Sequence, residues 1–328
     1  MTESSGLPLS PRSSSLQQRW MALPPSLKGL LLGSFAALCY SFTNAGLRQV
    51  AVRTDVDWAM WIAAWKVAPT AIASWFLMAR QWRGPGSLGP TRQVIGSLIL
   101  NGLLMQFFGN VMFQFALSRA GLALSVPLCF ASLITTSAIL GRVILNDAIR
   151  PRTLVTMALL MLAVVLLSQG SKSNSNTAHL TWQQIAWGAA AALGSGTGFA
   201  FSGVVVRRSV RSGHPISVVL GVSSTVALLP MLIAAARQGW SPLAGGLNGT
   251  GYAALLMAGV LNAIGFFSVS EALRHLPVVR VNLINASQAA MGGLMGVWMF
   301  HEPLTIWLVA GTLTTIASLV VLGTDREA

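Results

Sequence analysis

The chain has 328 residues, of which 54% are hydrophobic and only 9% are charged; a soluble domain carries roughly 25% charged residues. This composition excludes a water-soluble protein of this length and indicates one that crosses a membrane several times. The net charge of +13 does not indicate nucleic-acid binding, because the Lys and Arg residues fall in short clusters between apolar runs, as topology signals do.

The first 27 residues are rich in Ser and Pro, which predicts a disordered N-terminal tail. The rest contains ten apolar runs of the length that a helix needs to span a bilayer. Residues 169–181 form a polar linker between the fifth and sixth runs, and residues 324–328 form a short C-terminal tail. The predicted fold is an all-α integral membrane protein with ten transmembrane helices, over 28–47, 57–79, 93–117, 120–144, 151–168, 182–206, 215–236, 250–272, 277–299 and 304–322.

The distribution of Lys and Arg predicts the orientation of these helices. With the N-terminus in the cytoplasm, 15 basic residues fall on the inner side and 5 on the outer side, with Lys66 inside the membrane. This bias predicts that both termini are cytoplasmic. Each half, 28–168 and 182–323, then contains five helices. Because five is odd, halves that resemble each other must lie in opposite orientations across the membrane.

A weak internal match supports such a repeat. A constant shift of 155 positions pairs Ser132 with Ser287 and Asp147 with Glu302. Inverted repeats are typical of transporters in which one half rocks against the other around a site near the middle of the bilayer. We therefore predict two inverted five-helix repeats.

Lys66 is the strongest single functional signal in the sequence. It lies roughly 12 Å into a hydrocarbon core of about 30 Å, where an ammonium group costs about 2.5–3.5 kcal/mol. Pro69 follows it, so we expect a kink beside the lysine. The alternatives are a structural or snorkelling lysine and a lysine that binds the carboxylate or phosphate of a substrate. No Asp or Glu falls at mid-membrane depth in the sequence, and this favours the substrate.

Side-chain amides form the second signal. Those of the third run recur every four residues and share a helix face, while those of the ninth recur every three. Inward-facing amides line a polar cavity or only join helices by hydrogen bonds. Trp65 lies too deep for an interfacial belt, so it packs against a neighbour or forms a cavity wall. The candidate substrate-binding residues are Lys66, Trp65, Asn44, Gln106, Asn110, Gln114, Asn262, Asn282, Asn285 and Gln288.

The carboxylates have a different predicted role, because they lie at the ends of helices. Glu302 precedes Pro303 and is expected to cap the tenth helix, with Asp147 as its counterpart in the first half. We predict gating or capping contacts for both, with ion coupling as the alternative. Glu271 stands three and four residues before Arg274 and His275, the spacing of a solvated pair at a helix end.

Enzyme chemistry is not indicated. The four His residues are far apart in sequence, and no HExxH, CxxC or nucleotide-binding loop occurs. We predict a protein that is not an enzyme and binds no metal or cofactor. A receptor or scaffold remains the main alternative to a transporter, although such proteins usually carry a sizeable soluble domain.

The order of these features resembles the EamA-type transporters of the drug/metabolite transporter superfamily. The closest stretch is 270–323, which contains "EALRHLPVVRVNLI" and "HEPLTIWLVAGTLTTIASLVVL"; residues 28–168 match more loosely. The resemblance implies an exporter of small metabolites such as amino acids in the cell inner membrane, with a central cavity between the halves. It also implies that Lys66 corresponds to the family's basic residue in the second helix. Coupling to protons and exchange against a second solute both stay open.

Overall fold

The computed structural model describes residues 15–50, 56–81, 92–170, 181–237, 247–301 and 303–323. These residues are 92% helical and contain no strand. In chain order the helices are α1 (Ser15–Ala22), α2 (Pro25–Val50), α3 (Val56–Gln81), α4 (Arg92–Leu104), a π-helix (Met105–Val111), α5 (Met112–Leu145), α6 (Pro151–Gly170), α7 (Trp182–Arg211), α8 (Ile216–Arg237), α9 (Gly249–His275), α10 (Val278–Ala286), α11 (Gln288–Phe300) and α12 (Ile306–Gly323).

Seven stretches of these helices are long and apolar enough to cross a bilayer, which confirms a multi-pass membrane protein. They coincide with the first six predicted spans and the eighth. The predicted seventh and tenth spans correspond to shorter apolar stretches, Ile216–Leu229 and Ile306–Leu322. Of the predicted N-terminal tail, residues 1–14 lie outside the described residues, whereas Ser15–Ala22 is helical and the Lys28 ammonium donates a hydrogen bond back to the Met21 carbonyl.

The third and fourth predicted spans are joined by a reversal of the chain. Ser195 Oγ lies 2.8 Å from the carbonyl oxygen of Gly109 and 3.6 Å from Cys129 Sγ. A straight helix would separate residues 109 and 129 by about 30 Å, so the chain must turn back between them. α5 is helical over its length but does not run straight, and its later part lies beside the π-helix.

The prediction of one continuous helix over 277–299 is wrong. The helix is interrupted at Ser287, where α10 ends and α11 begins. The backbone N–H and the hydroxyl of Ser287 both donate to the Ile284 carbonyl, at 3.1 and 2.6 Å. This i to i−3 bonding tightens the turn and breaks the α-helical pattern.

Helices of the two halves pack mainly against each other. The most extensive contacts join α5 with α7, α2 with α9, α6 with α12, and α3 with α8 and α9. Glycines allow the closest approaches: a Cβ at Gly196 would meet the backbone of Cys129 and Leu133. In lipid, where apolar burial does not drive association, close backbone packing stabilises helix pairs.

Two helix ends share an unusual backbone conformation. Asn146 after α5 and His301 after α11 have φ of 55° and 53°, and they are the non-glycine residues with positive φ in the described part of the chain. Each donates its backbone N–H to a glycine carbonyl, that of Gly141 or of Gly296. A shift of 155 positions takes Asn146 to His301 and Gly141 to Gly296.

Candidate functional site

The Lys66 side chain is half-buried in α3 and faces the π-helix. Its ammonium donates a hydrogen bond to Asn110 Oδ1 at 3.3 Å. That partner is a neutral amide, so the charge of the lysine is solvated by a dipole and not balanced by an opposite charge.

The π-helix supports this contact with a short chain of hydrogen bonds. Asn110 Nδ2 donates to Gln106 Oε1 at 3.0 Å, and Gln106 Nε2 donates to the sulfur of Met231 at 3.0 Å. Gln106 is 1% exposed and Asn110 is 6% exposed. π-Helical turns are rare and occur frequently at functional sites. Here the turn holds the oxygen of Asn110 towards Lys66.

The backbone beside Lys66 is joined to the second half of the protein. Pro69 has no N–H, which leaves the Trp65 carbonyl without its usual helical donor. Gly259 of α9 packs against this carbonyl, and Asn262 Nδ2 donates to the Lys66 carbonyl at 3.2 Å. Gly259 and Asn262 therefore hold α9 against the part of α3 beside Pro69.

No carboxylate that the structure describes by its side chain lies beside Lys66. Asp147 pairs with Arg207, and Glu271 pairs with Arg274 at 3.2 Å and with His275 at 3.7 Å. The predicted Glu271 pair at the helix end is thus confirmed.

A second group of amides joins α2 to the interrupted helix. Asn44 Nδ2 donates to Gln288 Oε1 at 3.1 Å, and Gln288 Nε2 donates to the Asn285 carbonyl at 3.0 Å. Gln288 thereby bonds a carbonyl at the end of α10. The side-chain oxygen of Asn285 is buried with no hydrogen-bond partner among the described residues.

The two groups of amides lie near each other along α9. Thr43, next to Asn44, donates to the Ala258 carbonyl, and Asn262, one turn further along α9, donates to Lys66. Because both α2 and α3 pack against α9, Asn44 and Lys66 lie within about one helical turn of each other along this helix.

The remaining candidates take other places. Asn282 donates to Ser137 Oγ at 2.6 Å and joins α10 to α5. Gln114 is half-buried and lies outside the chain of hydrogen bonds around Lys66. Trp65 is 38% exposed and contacts Trp61 edge to face, with ring centroids 6.0 Å apart.

Sequence reasoning missed three residues that form hydrogen bonds with the candidate residues. Ser137 and Met231 stand in apolar runs without any distinguishing spacing, so no sequence signal identifies them. Arg207 lies just beyond the predicted span 182–206, but α7 continues to Arg211 and Arg207 is buried within it.

Asp147 makes an interhelical contact. Its carboxylate accepts a hydrogen bond from Arg207 Nη2 at 3.0 Å. Glu302, its predicted counterpart, lies outside the described residues.

Comparison with known protein families finds a similarity in the second half of the chain. The family model of the EamA-like transporters matches residues 186–324. This match covers the later part of the chain and fewer than half of its residues. This EamA-like part begins in α7 and contains α8 to α12, and the match confirms the resemblance seen in the sequence.

A solved structure has a similar fold over most of the chain. One crystal structure, described only as that of a protein, is similar with a TM-score of 0.70 and 15% sequence identity, over 90% of this chain and 96% of that chain. At this identity the likeness concerns the fold alone. No curated protein sequence matches the chain.

Proposed function

We propose that the protein is a secondary transporter that exports small solutes with an anionic group, such as amino acids or other carboxylated metabolites, across the cell inner membrane. Both termini lie in the cytoplasm, and the solute crosses by alternating access through a central cavity. The observation that carries the proposal is the deep ammonium of Lys66, whose hydrogen-bond partner is the neutral amide of Asn110.

The chemistry of the site favours an anion. A cation at membrane depth without a neighbouring carboxylate is stabilised when an anionic group binds beside it. Asn110 holds the ammonium in place meanwhile, and a carboxylate is a stronger hydrogen-bond acceptor than an amide oxygen. The substrate's anionic group therefore takes the place of, or binds beside, Asn110 Oδ1.

Alternating access rests on the proposed inverted repeat, which two observations support. The left-handed residues Asn146 and His301 are related by a shift of 155 positions. The same shift takes Tyr40 to Ser195 and Asn110 to Gly265, and these residues lie in corresponding contacts: Gly265 packs against Tyr40, while Ser195 bonds Gly109, next to Asn110. Transport is thereby favoured over a receptor or scaffold, because repeats of this kind serve a rocking motion.

Release of solutes from liposomes tests the proposal. The purified protein is sealed into vesicles that contain labelled amino acids and organic acids, with Lys66→Met beside it. Lys28→Met, the same change in a lysine at the start of α2, is the matched control. We expect Lys66→Met to release anionic or zwitterionic solutes at least ten times more slowly than the wild type. Lys28→Met should behave as the wild type.

The other outcomes have distinct meanings. Equal release by wild type and Lys66→Met would show that the lysine has a structural role, and it would contradict the anion site. Absence of release from every folded variant, across the whole solute pool, contradicts transport of these solutes.

A further inference from the structure

A buried ion pair lies at the end of the bundle where α5, α7 and α9 terminate, here called the Asp147 end. Arg207 Nη2 lies 3.0 Å from Asp147 Oδ1, and the two side chains are 7% and 9% exposed. Arg207 Nη1 also donates to the Leu273 carbonyl at 2.9 Å. Arg211, 52% exposed, approaches the same carboxylate oxygen at 3.8 Å.

This cluster connects the two halves of the chain. Asp147 belongs to the first half and follows α5, whereas Arg207 and Leu273 belong to α7 and α9 of the second half. The left-handed residue Asn146 turns the chain, and the backbone N–H of Asp147 bonds the Gly141 carbonyl at 3.0 Å. The carboxylate is thus held firmly at the end of one half and bound by the other.

Stability alone is a poor explanation for this pair. Taking both charges out of water costs several kcal/mol each, and a buried pair repays this only when its remaining polar atoms are also bonded. Here Asp147 Oδ2 and Arg207 Nε are buried without a hydrogen-bond partner in the described part of the chain.

Because these two atoms lack hydrogen-bond partners among the described residues, water can replace the ion pair at a low cost in free energy. When this end of the bundle opens, both charges regain their hydration, which offsets much of the lost attraction. A contact whose closed and hydrated states differ little in free energy suits an element with two alternative arrangements.

We infer that the Asp147–Arg207–Leu273 contact is a latch that closes the Asp147 end of the bundle and separates when this end opens. The inference rests on the proposed alternating access, and it assigns Asp147 a gating contact with a named partner. Removing either charge shifts the population towards the open arrangement, and exchanging the two charges restores the latch.

Distances between spin labels test the latch without any substrate. Cys39 and Cys129 are replaced by alanine, and labels are attached at Ala148→Cys and Ser212→Cys, two exposed positions on either side of the ion pair. Arg207→Gln and Asp147→Asn each remove one charge. Arg208→Gln is the matched control, since this neighbouring arginine is exposed.

We expect one short distance to dominate in the parent protein and in Arg208→Gln. In Arg207→Gln and Asp147→Asn the fraction of a longer distance should rise about tenfold, and in Asp147→Arg/Arg207→Asp it should return to the parent value. If Arg207→Gln aggregates, Asp147→Asn supplies the measurement, because it keeps the shape of the side chain.

An unchanged distance distribution in the folded charge-removal variants overturns the latch. So does a charge exchange that folds but keeps the long distance. Since the measurement needs no substrate, failure of solute release by the parent protein contradicts the proposed function and not the latch.

Discussion

Replacing Asn110 by Asp is the sharpest test of the anion site. The substitution keeps the size and shape of the side chain but places a carboxylate 3.3 Å from the Lys66 ammonium. The protein then contains the counter-ion that we assign to the substrate. We expect Asn110→Asp to fold and to lose the binding and transport of anionic solutes.

The distance sets the size of the effect. Two unit charges 3.3 Å apart attract each other by about 5 kcal/mol at an effective dielectric constant of 20. An anionic substrate competes with this attraction, and about 1.4 kcal/mol corresponds to a tenfold change in affinity. If the substrate must overcome even one third of this attraction, its affinity falls at least tenfold.

Solute release from liposomes measures this loss, with Asn110→Ala as the control. The alanine removes the amide without adding a charge, so the Lys66 ammonium stays available to an anion. We expect Asn110→Ala to keep its rate within about threefold of the wild type, a small change beside the tenfold step of 1.4 kcal/mol. Elution of each variant as a single species in detergent shows that it is folded.

Two results would refute the reasoning. If Asn110→Asp releases the same anionic solutes at the rate of the wild type, the ammonium of Lys66 does not bind them. If Asn110→Ala loses as much activity as Asn110→Asp, the amide itself is required and an internal counter-ion is not the cause.

Two further predictions concern the packing around the site. Gly259→Ala should lower the melting temperature measured in detergent, because its Cβ would lie 2.9 Å from Pro69 Cγ, whereas Gly249→Ala, with nothing within 4 Å, should leave it unchanged; equal melting temperatures would contradict the close contact. In a double-mutant cycle of Asn44→Leu and Gln288→Leu, we expect a coupling energy of about 0.6 kcal/mol, typical of hydrogen bonds between membrane helices, and a coupling of zero would show that the 3.1 Å bond adds nothing to stability.

The sequence predicts part of the site because some of its geometry is local. Gln106 and Asn110 are four residues apart and do share a face, as their hydrogen bond shows. Gln114 has the same spacing but lies in α5 beyond the π-helix. A π-helical turn contains more residues than an α-helical turn, so a spacing counted across its end does not keep side chains in line.

Helix interruptions limit the prediction in the ninth run as well. Hydropathy there is uninterrupted, and it predicts one helix over 277–299. The break at Ser287 depends on hydrogen bonds of a single hydroxyl and N–H to Ile284. Such local competition with the helix does not alter the apolar pattern from which spans are predicted.

By itself, the sequence determined that this is a membrane protein and where most of its apolar helices lie, because hydropathy and the length of an apolar run are properties of a continuous segment. It also singled out Lys66, since the cost of a charge depends mainly on its depth. Only the tertiary structure decided which side chains the charged residues contact. Asn110 is 44 positions from Lys66, and Arg207 is 60 positions from Asp147. Contacts across helices depend on how helices pack and turn, and sequence spacing does not specify either.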